Sequence, residues 1–116
     1  MKKAGKIVEL REKPVVFGRM PVPYTDVCLL DAIVAKQLFE IRWNADHNCH
    51  EVQVYPCFYA PSLNGDLLNP DGECRSLSIG DVLTIGPFRI QYTTLRRAKG
   101  RWTFRGTSHV AHVFFN

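Results

Sequence analysis

Residues 61–90, PSLNGDLLNPDGECRSLSIGDVLTIGPFRI, decide how this chain folds. The stretch reads as short strands parted by tight turns, each turn marked by its own glycine. Asn64-Gly65 and Asp71-Gly72 are dipeptides that tolerate the positive φ of two-residue hairpin turns. Gly80-Asp81 and Gly86-Pro87 bracket VLTI, a β-branched and aliphatic run of strand length. Beyond Pro87, Phe88, Ile90 and Tyr92 alternate with Arg89, Gln91 and Thr93, the period of a strand with one buried face. No helix survives this density of breakers. The block is β.

Working outward from it, the N-terminal side carries the same signals. Val8 and Leu10 alternate with Glu9 and Arg11 in an opening strand that Pro14 ends. VVFGR (15–19) starts a second strand that stops at Gly18, and MPVPY, with two prolines, reads as a surface loop. Residues 26–41 are contested. Val27, Leu30, Val34 and Leu38 fall at helical spacing behind Asp26 as an N-cap, while Phe39, Ile41 and Trp43 alternate as in a strand. Val52 and Val54 then alternate with Glu51, Gln53 and Tyr55. Pro56 and Pro61 frame CFYA before the central block.

The C-terminal side, residues 94–116, differs in composition. Arg96, Arg97, Lys99, Arg101 and Arg105 cluster around Trp102, and the chain closes on HVAHVFFN. Turn signals at Lys99-Gly100 and Arg105-Gly106 make RWTF and HVFF two further short strands. No repeat or linker divides the chain, so residues 1–116 form one domain. Eight to eleven short strands with regular turns describe an all-β sandwich or barrel. Val8, Phe17, Phe39, Ile41, Val52, Val54, Leu83, Ile85, Phe88 and Ile90 are the expected core.

Composition narrows the function classes. A chain of 116 residues with 46% hydrophobic residues can bury a core of its own. Its net charge of +4 is too small to name nucleic acid as a partner. No apolar run reaches the roughly 18 residues of a membrane span, and no secretory leader is visible, so a cytoplasmic setting is expected. Cys28, Cys49, Cys57 and Cys74 show no C-x-x-C spacing. Scattered cysteines in such a setting are expected reduced and mostly packed. His47, Cys49 and His50 in ADHNCHE would need a distant second ligand pair, such as His109 and His112, to hold zinc. A polar turn containing histidines is the simpler reading. No nucleophile elbow, phosphate-binding glycine loop or paired carboxylates are present, which argues against an enzyme. No cofactor is implied.

The order of landmarks resembles the forkhead-associated (FHA) domain family. Gly18-Arg19 matches the family's Gly-Arg after the second strand, and Asp26–Leu29 its D-[IV]-x-L strand. Val34–Ile41 occupies the place of V-S-[RN]-x-H-[AF]-x-I. Ser62-Leu63-Asn64-Gly65 with Leu68-Asn69 is similar to S-x-N-G-T-x-[VL]-N. Leu77–Gly86 is similar to L-x-x-G-D-x-[IL]-x-[IL]-G. The resemblance spans residues 15–92 and implies a two-sheet β-sandwich of FHA (SMAD/FHA-like) type with about 10–11 short strands. It also implies that residues 26–41 are strand, loop, strand, and that Gly18, Gly65 and Gly80 are structural turn glycines.

What the resemblance implies for function is a site for phosphothreonine peptides on the loops at one end. Here Arg19 supplies the family's arginine, Lys36 a second cation, and Asn64 the amide that holds peptide backbone. Ala35 replaces the family serine, Leu63 the hydroxyl residue before Asn-Gly, and Leu38 the histidine that braces the loop. Each charge-assisted hydrogen bond contributes roughly 1.5–3 kcal/mol. Losing two hydroxyl donors removes about 3–6 kcal/mol, or roughly two to four decades of affinity. Three readings follow. The first is an FHA-type protein-interaction module with phosphothreonine recognition weakened or lost, serving as an adaptor or scaffold and meeting another protein by its end loops or a sheet edge. The second is a functional phosphothreonine-binding domain in signalling. The third is weak nucleic-acid binding through residues 96–105, the least supported because five cations neutralise only a few phosphates. The aromatic C-terminal strand is the expected sheet edge.

Overall fold

The structure is a computed structural model that describes residues 5–70, 72–96 and 107–115. These residues form eleven strands and no helix. In order they are β1 (Lys6–Leu10), β2 (Val15–Gly18), β3 (Val27–Cys28), β4 (Phe39–Asn44) and β5 (Cys49–Val54). There follow β6 (Ser62–Leu63), β7 (Asp66–Leu67), β8 (Arg75–Ser76), β9 (Val82–Ile85), β10 (Phe88–Arg96) and β11 (Thr107–Phe115). One sheet has six strands in the order β1-β11-β10-β9-β6-β7, and the other has five in the order β3-β2-β4-β5-β8. All pairings are antiparallel except β2 with β3. The all-β sandwich expected from the sequence is the observed architecture.

The alternation that predicts the strands also fills the space between the sheets. Phe17, Phe39, Ile41, Val52, Val54, Leu83, Ile85, Phe88 and Ile90 are all buried, and Val8 packs half-buried at the margin. Phe17 and Phe39, opposite each other on β2 and β4, stack at 4.7 Å between ring centroids. The two-residue turn at Asn64-Gly65 forms as its dipeptide requires, with φ of 51° and 92°. Gly86-Pro87 joins β9 to β10 through the pair Ile85–Phe88.

Residues 26–41 resolve as strand, loop and strand. The helical spacing fails at Leu30, which is 76% exposed while Val27, Val34 and Leu38 are buried. A loop can hide Val34 and Leu38 because its backbone groups find partners in β2 and the residue that follows it. Arg19 N donates to Ala35 O at 2.9 Å, Leu29 N to Gly18 O at 2.7 Å and Leu38 N to Phe17 O at 2.8 Å.

Two expectations need correction. The C-terminal strand is not an edge: β11 lies between β1 and β10, and β1 takes the edge. The physical reason is length. Nine residues from Phe88 to Arg96 pair with nine from Phe115 back to Thr107, and five of β1 then cover the other side of β11. Gly18 is a strand-end residue, not a turn glycine. It is buried at the end of β2, and a Cβ there would run into the carbonyl oxygen of Lys36. The expected turn at Asp71, the strand RWTF and the cations from Arg97 to Arg105 lie outside the described residues.

Candidate functional site

The loops between β2 and β3, β3 and β4, and β5 and β6 gather at one end of the sandwich. Arg19 follows β2 directly and lies along the β3–β4 loop. Its backbone NH donates to Ala35 O and its Nε donates to Val34 O, both at 2.9 Å. One edge of the guanidinium is thus spent on fixing the loop. Lys36 is exposed beside it, and Gln37 Nε2 donates to Tyr24 O at 2.6 Å, tying this loop to the β2–β3 loop. Ala35, Lys36, Gln37, Tyr55 and Pro56 line a hollow of about 480 Å³. The carboxylates nearest in sequence are engaged internally. Asp26 Oδ2 accepts from Val16 N at 2.7 Å, and Asp31 Oδ1 from Ile33 N at 3.0 Å. Glu40 accepts the Tyr55 hydroxyl at 2.6 Å. Burial pushes that phenol's pKa upward, and the bond to Glu40 adds to the effect.

The other sequence-predicted positions separate into surface and core. Ala35 is half-buried against the core. Leu38 is 0% exposed and Leu63 3%, so both belong to the core, not to the loop surface. Leu63 pairs with Leu83 across β6 and β9. Asn64 is exposed, but its amide works inside the fold. Nδ2 donates to Asp81 Oδ1 and Oδ1 accepts from Val82 N, each at 2.9 Å.

A second cluster lies at the opposite end. Trp43 pairs with His50 across β4 and β5, four residues along from Phe39, or about 13 Å at strand rise. Their rings meet at 4.9 Å, and His109 joins them from β11 at 5.3 Å from His50. Tyr92 stacks on His109 at 5.7 Å with an interplanar angle of 7°. His50 is 2% exposed and both its nitrogens are used, Nδ1 with the Tyr92 hydroxyl at 2.8 Å and Nε2 with Arg11 O at 3.1 Å. A carbonyl only accepts, so Nε2 carries the proton and Nδ1 of the neutral ring accepts from the hydroxyl. Burial lowers the His50 pKa, with His109 adding to the effect, and burial pushes the Tyr92 phenol up to about 12.

The reading of ADHNCHE (45–51) as a polar turn therefore needs correction from Cys49 onward, where β5 begins. His47 is exposed in the turn, but His50 is a buried strand residue. The alternation of Val52 and Val54, carried one step back, points to it. No group of three metal-ligating side chains occurs among the described residues.

No protein-family model and no curated protein matches the sequence. Solved structures do. The chain is similar to the FHA domain of FhaA in complex with the intracellular domain of Rv3910, with a TM-score of 0.54 and 19% identity, over 90% of this chain and 84% of that one. It is similar to the FHA domain of a hypothetical protein from Arabidopsis thaliana, with a TM-score of 0.53 and 18% identity, over 97% and 70%. A third similar structure comes from work on phosphothreonine-dependent FHA domain interactions, with a TM-score of 0.54 and 17% identity, over 96% and 95%. The chain thus has a divergent FHA-like fold.

Proposed function

We propose that this chain is an FHA-type protein-interaction module whose loop end docks a partner protein without selecting phosphothreonine. It acts as an adaptor or assembly domain, not an enzyme, in a cytoplasmic setting. The observation that carries this reading is the burial of Leu38 and Leu63, at 0% and 3% exposure, where the family's brace and second hydroxyl donor would stand. A side chain sealed in the core offers a ligand no hydrogen bond, and Asn64 spends its amide on Asp81 and Val82.

What the loop end does offer suits a protein surface. Leu30 and Lys36 are exposed in the β3–β4 loop, Phe58 and Tyr59 in the β5–β6 loop, and Arg19 is half-buried at the end of β2. Aromatic and aliphatic anchors among a few cations are typical of interface centres and their rims. That FhaA's FHA domain meets the intracellular domain of another protein supports the class of partner. The competing reading, a phosphothreonine reader, draws on the retained Arg19 and Lys36.

Co-purification from the native host tests both. Partners retained after phosphatase treatment of the lysate, and lost with the exposed-site variant Lys36→Glu/Phe58→Ser, are the expected result. Partners that vanish on phosphatase treatment would instead identify a phosphothreonine reader.

A further inference from the structure

We propose that the outward face of the six-stranded sheet docks the same face of a second copy of this chain. In an antiparallel sandwich the outward positions of a strand normally read polar. The five-stranded sheet follows this rule, with Glu40, Arg42 and Asn44 outward on β4. β11 does not. Ala111 and Val113 fill the core, yet the positions alternating with them are Val110, His112 and Phe114. Apolar and aromatic residues on both sides are the pattern of a strand covered on both sides. The neighbouring strands widen the stripe. Ile7 stands opposite His112, and Leu95 opposite Ser108. Leu67 lies in one cross-strand row with Phe114, by way of Ser62, Thr84 and Arg89. Ile7, Leu67 and Leu95 are 48%, 75% and 45% exposed, and the His112 and Phe114 rings lie 4.1 Å apart between centroids.

Shape, charge and area all fit a copy of the same surface. A sheet face packs on another sheet about 10 Å away, with the side chains of the two interdigitated. An isologous contact sets a patch against itself, so a patch of one sign would repel its copy. Here Glu9 is paired with Arg11 at 3.1 Å, and Arg89 stands in the end row of the sheet. The middle of the face, around His112, Gln91 and Thr93, carries no carboxylate or guanidinium. Six strands of these lengths present about 500 Å² of flat sheet per copy, or about 1,000 Å² for a pair. That is the size at which specific interfaces begin, so the pair is a weak one, with a dissociation constant on the order of 10 μM. The exposed loop residues Leu30, Lys36, Phe58 and Tyr59 lie outside this face, so a dimer keeps two docking ends.

Sedimentation velocity of the full chain from about 1 to about 300 μM spans that affinity. The mass should rise from 13.3 kDa towards twice that value. The double change Ile7→Lys and Leu95→Lys sets cations into the contact and should weaken dimerisation about tenfold or more. Both side chains are about half exposed in the single chain, so the fold should tolerate the change, and circular dichroism checks that it does. Phe58→Ser, in the β5–β6 loop, should leave dimerisation unchanged. Should the lysine pair fail to fold, NMR spectra of the parent on dilution still locate the contact. Their shift changes are expected in residues 7–9, 89–95 and 108–114. A single species of 13.3 kDa at about 300 μM would overturn the proposal. So would a dimer that the folded lysine pair leaves intact, one that Phe58→Ser dissolves, or dilution shifts centred on the loop end.

Discussion

Asn64 and Asp81 are joined side chain to side chain at 2.9 Å, from a turn between β6 and β7 to the turn before β9. Asp81 Oδ2 also accepts from Ser78 N at 2.8 Å, so one carboxylate closes its own turn and holds the neighbouring one. The Asn-Gly and Gly-Asp signals of the sequence are therefore two halves of one bracket. Replacing Asn64 by alanine breaks two hydrogen bonds and puts an alanine at a φ of 51°. The expected loss is about 1–3 kcal/mol, read by urea denaturation. A cost below about 0.5 kcal/mol would mean that the bracket does not hold in solution.

The close approach at Gly18 yields a separate expectation. A Cβ on residue 18 would meet the Lys36 carbonyl and sit 2.7 Å from the Cα of Gln37, both backbone atoms that cannot swing aside. Gly18→Ala must push the β3–β4 loop off the end of β2. The loop carries Lys36, and Arg19 follows Gly18 directly, so the loop end should change shape with it. A loss of about 1–3 kcal/mol is expected, with NMR shift changes concentrated in residues 29–38. An alanine variant as stable as the parent would refute this packing.

The strands were legible in the sequence wherever two conditions met. Alternation marked a buried face, as in Val82–Ile85 and Phe88–Tyr92, and a glycine- or proline-bearing turn marked at least one end. Residues 26–36 were not legible from period alone, because a loop anchored by backbone bonds can bury Val34 and Leu38 at irregular intervals; the strand from Phe39 was. The place of β11 was hidden for another reason. An aromatic terminal strand looks the same whether an edge or a neighbour flanks it, and only the pairing with β1 decides. The candidate site was legible as a set of positions but not as surface or core. Nothing in a leucine's identity tells whether Leu63 faces a ligand or Leu83.

That difference bears on restoring the family's chemistry. Leu38→His and Leu63→Thr, with Ala35→Ser, would rebuild the family pattern on paper. In the fold, the first two introduce polar groups into the core, costing about 3–5 and 2–4 kcal/mol. Together they remove about 5–9 kcal/mol, comparable with the roughly 5–15 kcal/mol that stabilises a domain of this size. The triple variant should be largely unfolded by circular dichroism. Ala35→Ser alone, at a half-buried position, should fold and gain at most about ten- to a hundredfold for phosphothreonine peptides in a calorimetric titration. A parent protein that already binds such peptides at micromolar strength would contradict the assigned roles of these positions.

His50 makes the stability of the domain depend on pH with a defined sign. Its folded pKa lies below the ordinary value of 6.5, chiefly because the ring is buried, and His109 acts in the same direction. Above 6.5 both the folded and the unfolded chain carry a neutral His50, and this residue adds no slope. As the pH falls through that value the unfolded chain takes up a proton that the folded chain refuses. Stability is then lost until the folded pKa is reached. The groups that face His50 are Trp43 from β4, Tyr92 from β10, His109 from β11 and the Arg11 carbonyl after β1. His50→Phe keeps an aromatic ring but leaves Arg11 O and the Tyr92 hydroxyl without this partner. It should cost about 1–3 kcal/mol at neutral pH. Urea midpoints measured from about pH 8 down to about pH 5 should fall more steeply for the parent than for the variant. Subtracting the two curves removes the contribution of the carboxylates and of the histidines not in contact with His50. Parallel curves would show that His50 takes up its proton as readily in the fold as out of it, and that the buried ring is not held neutral by its surroundings.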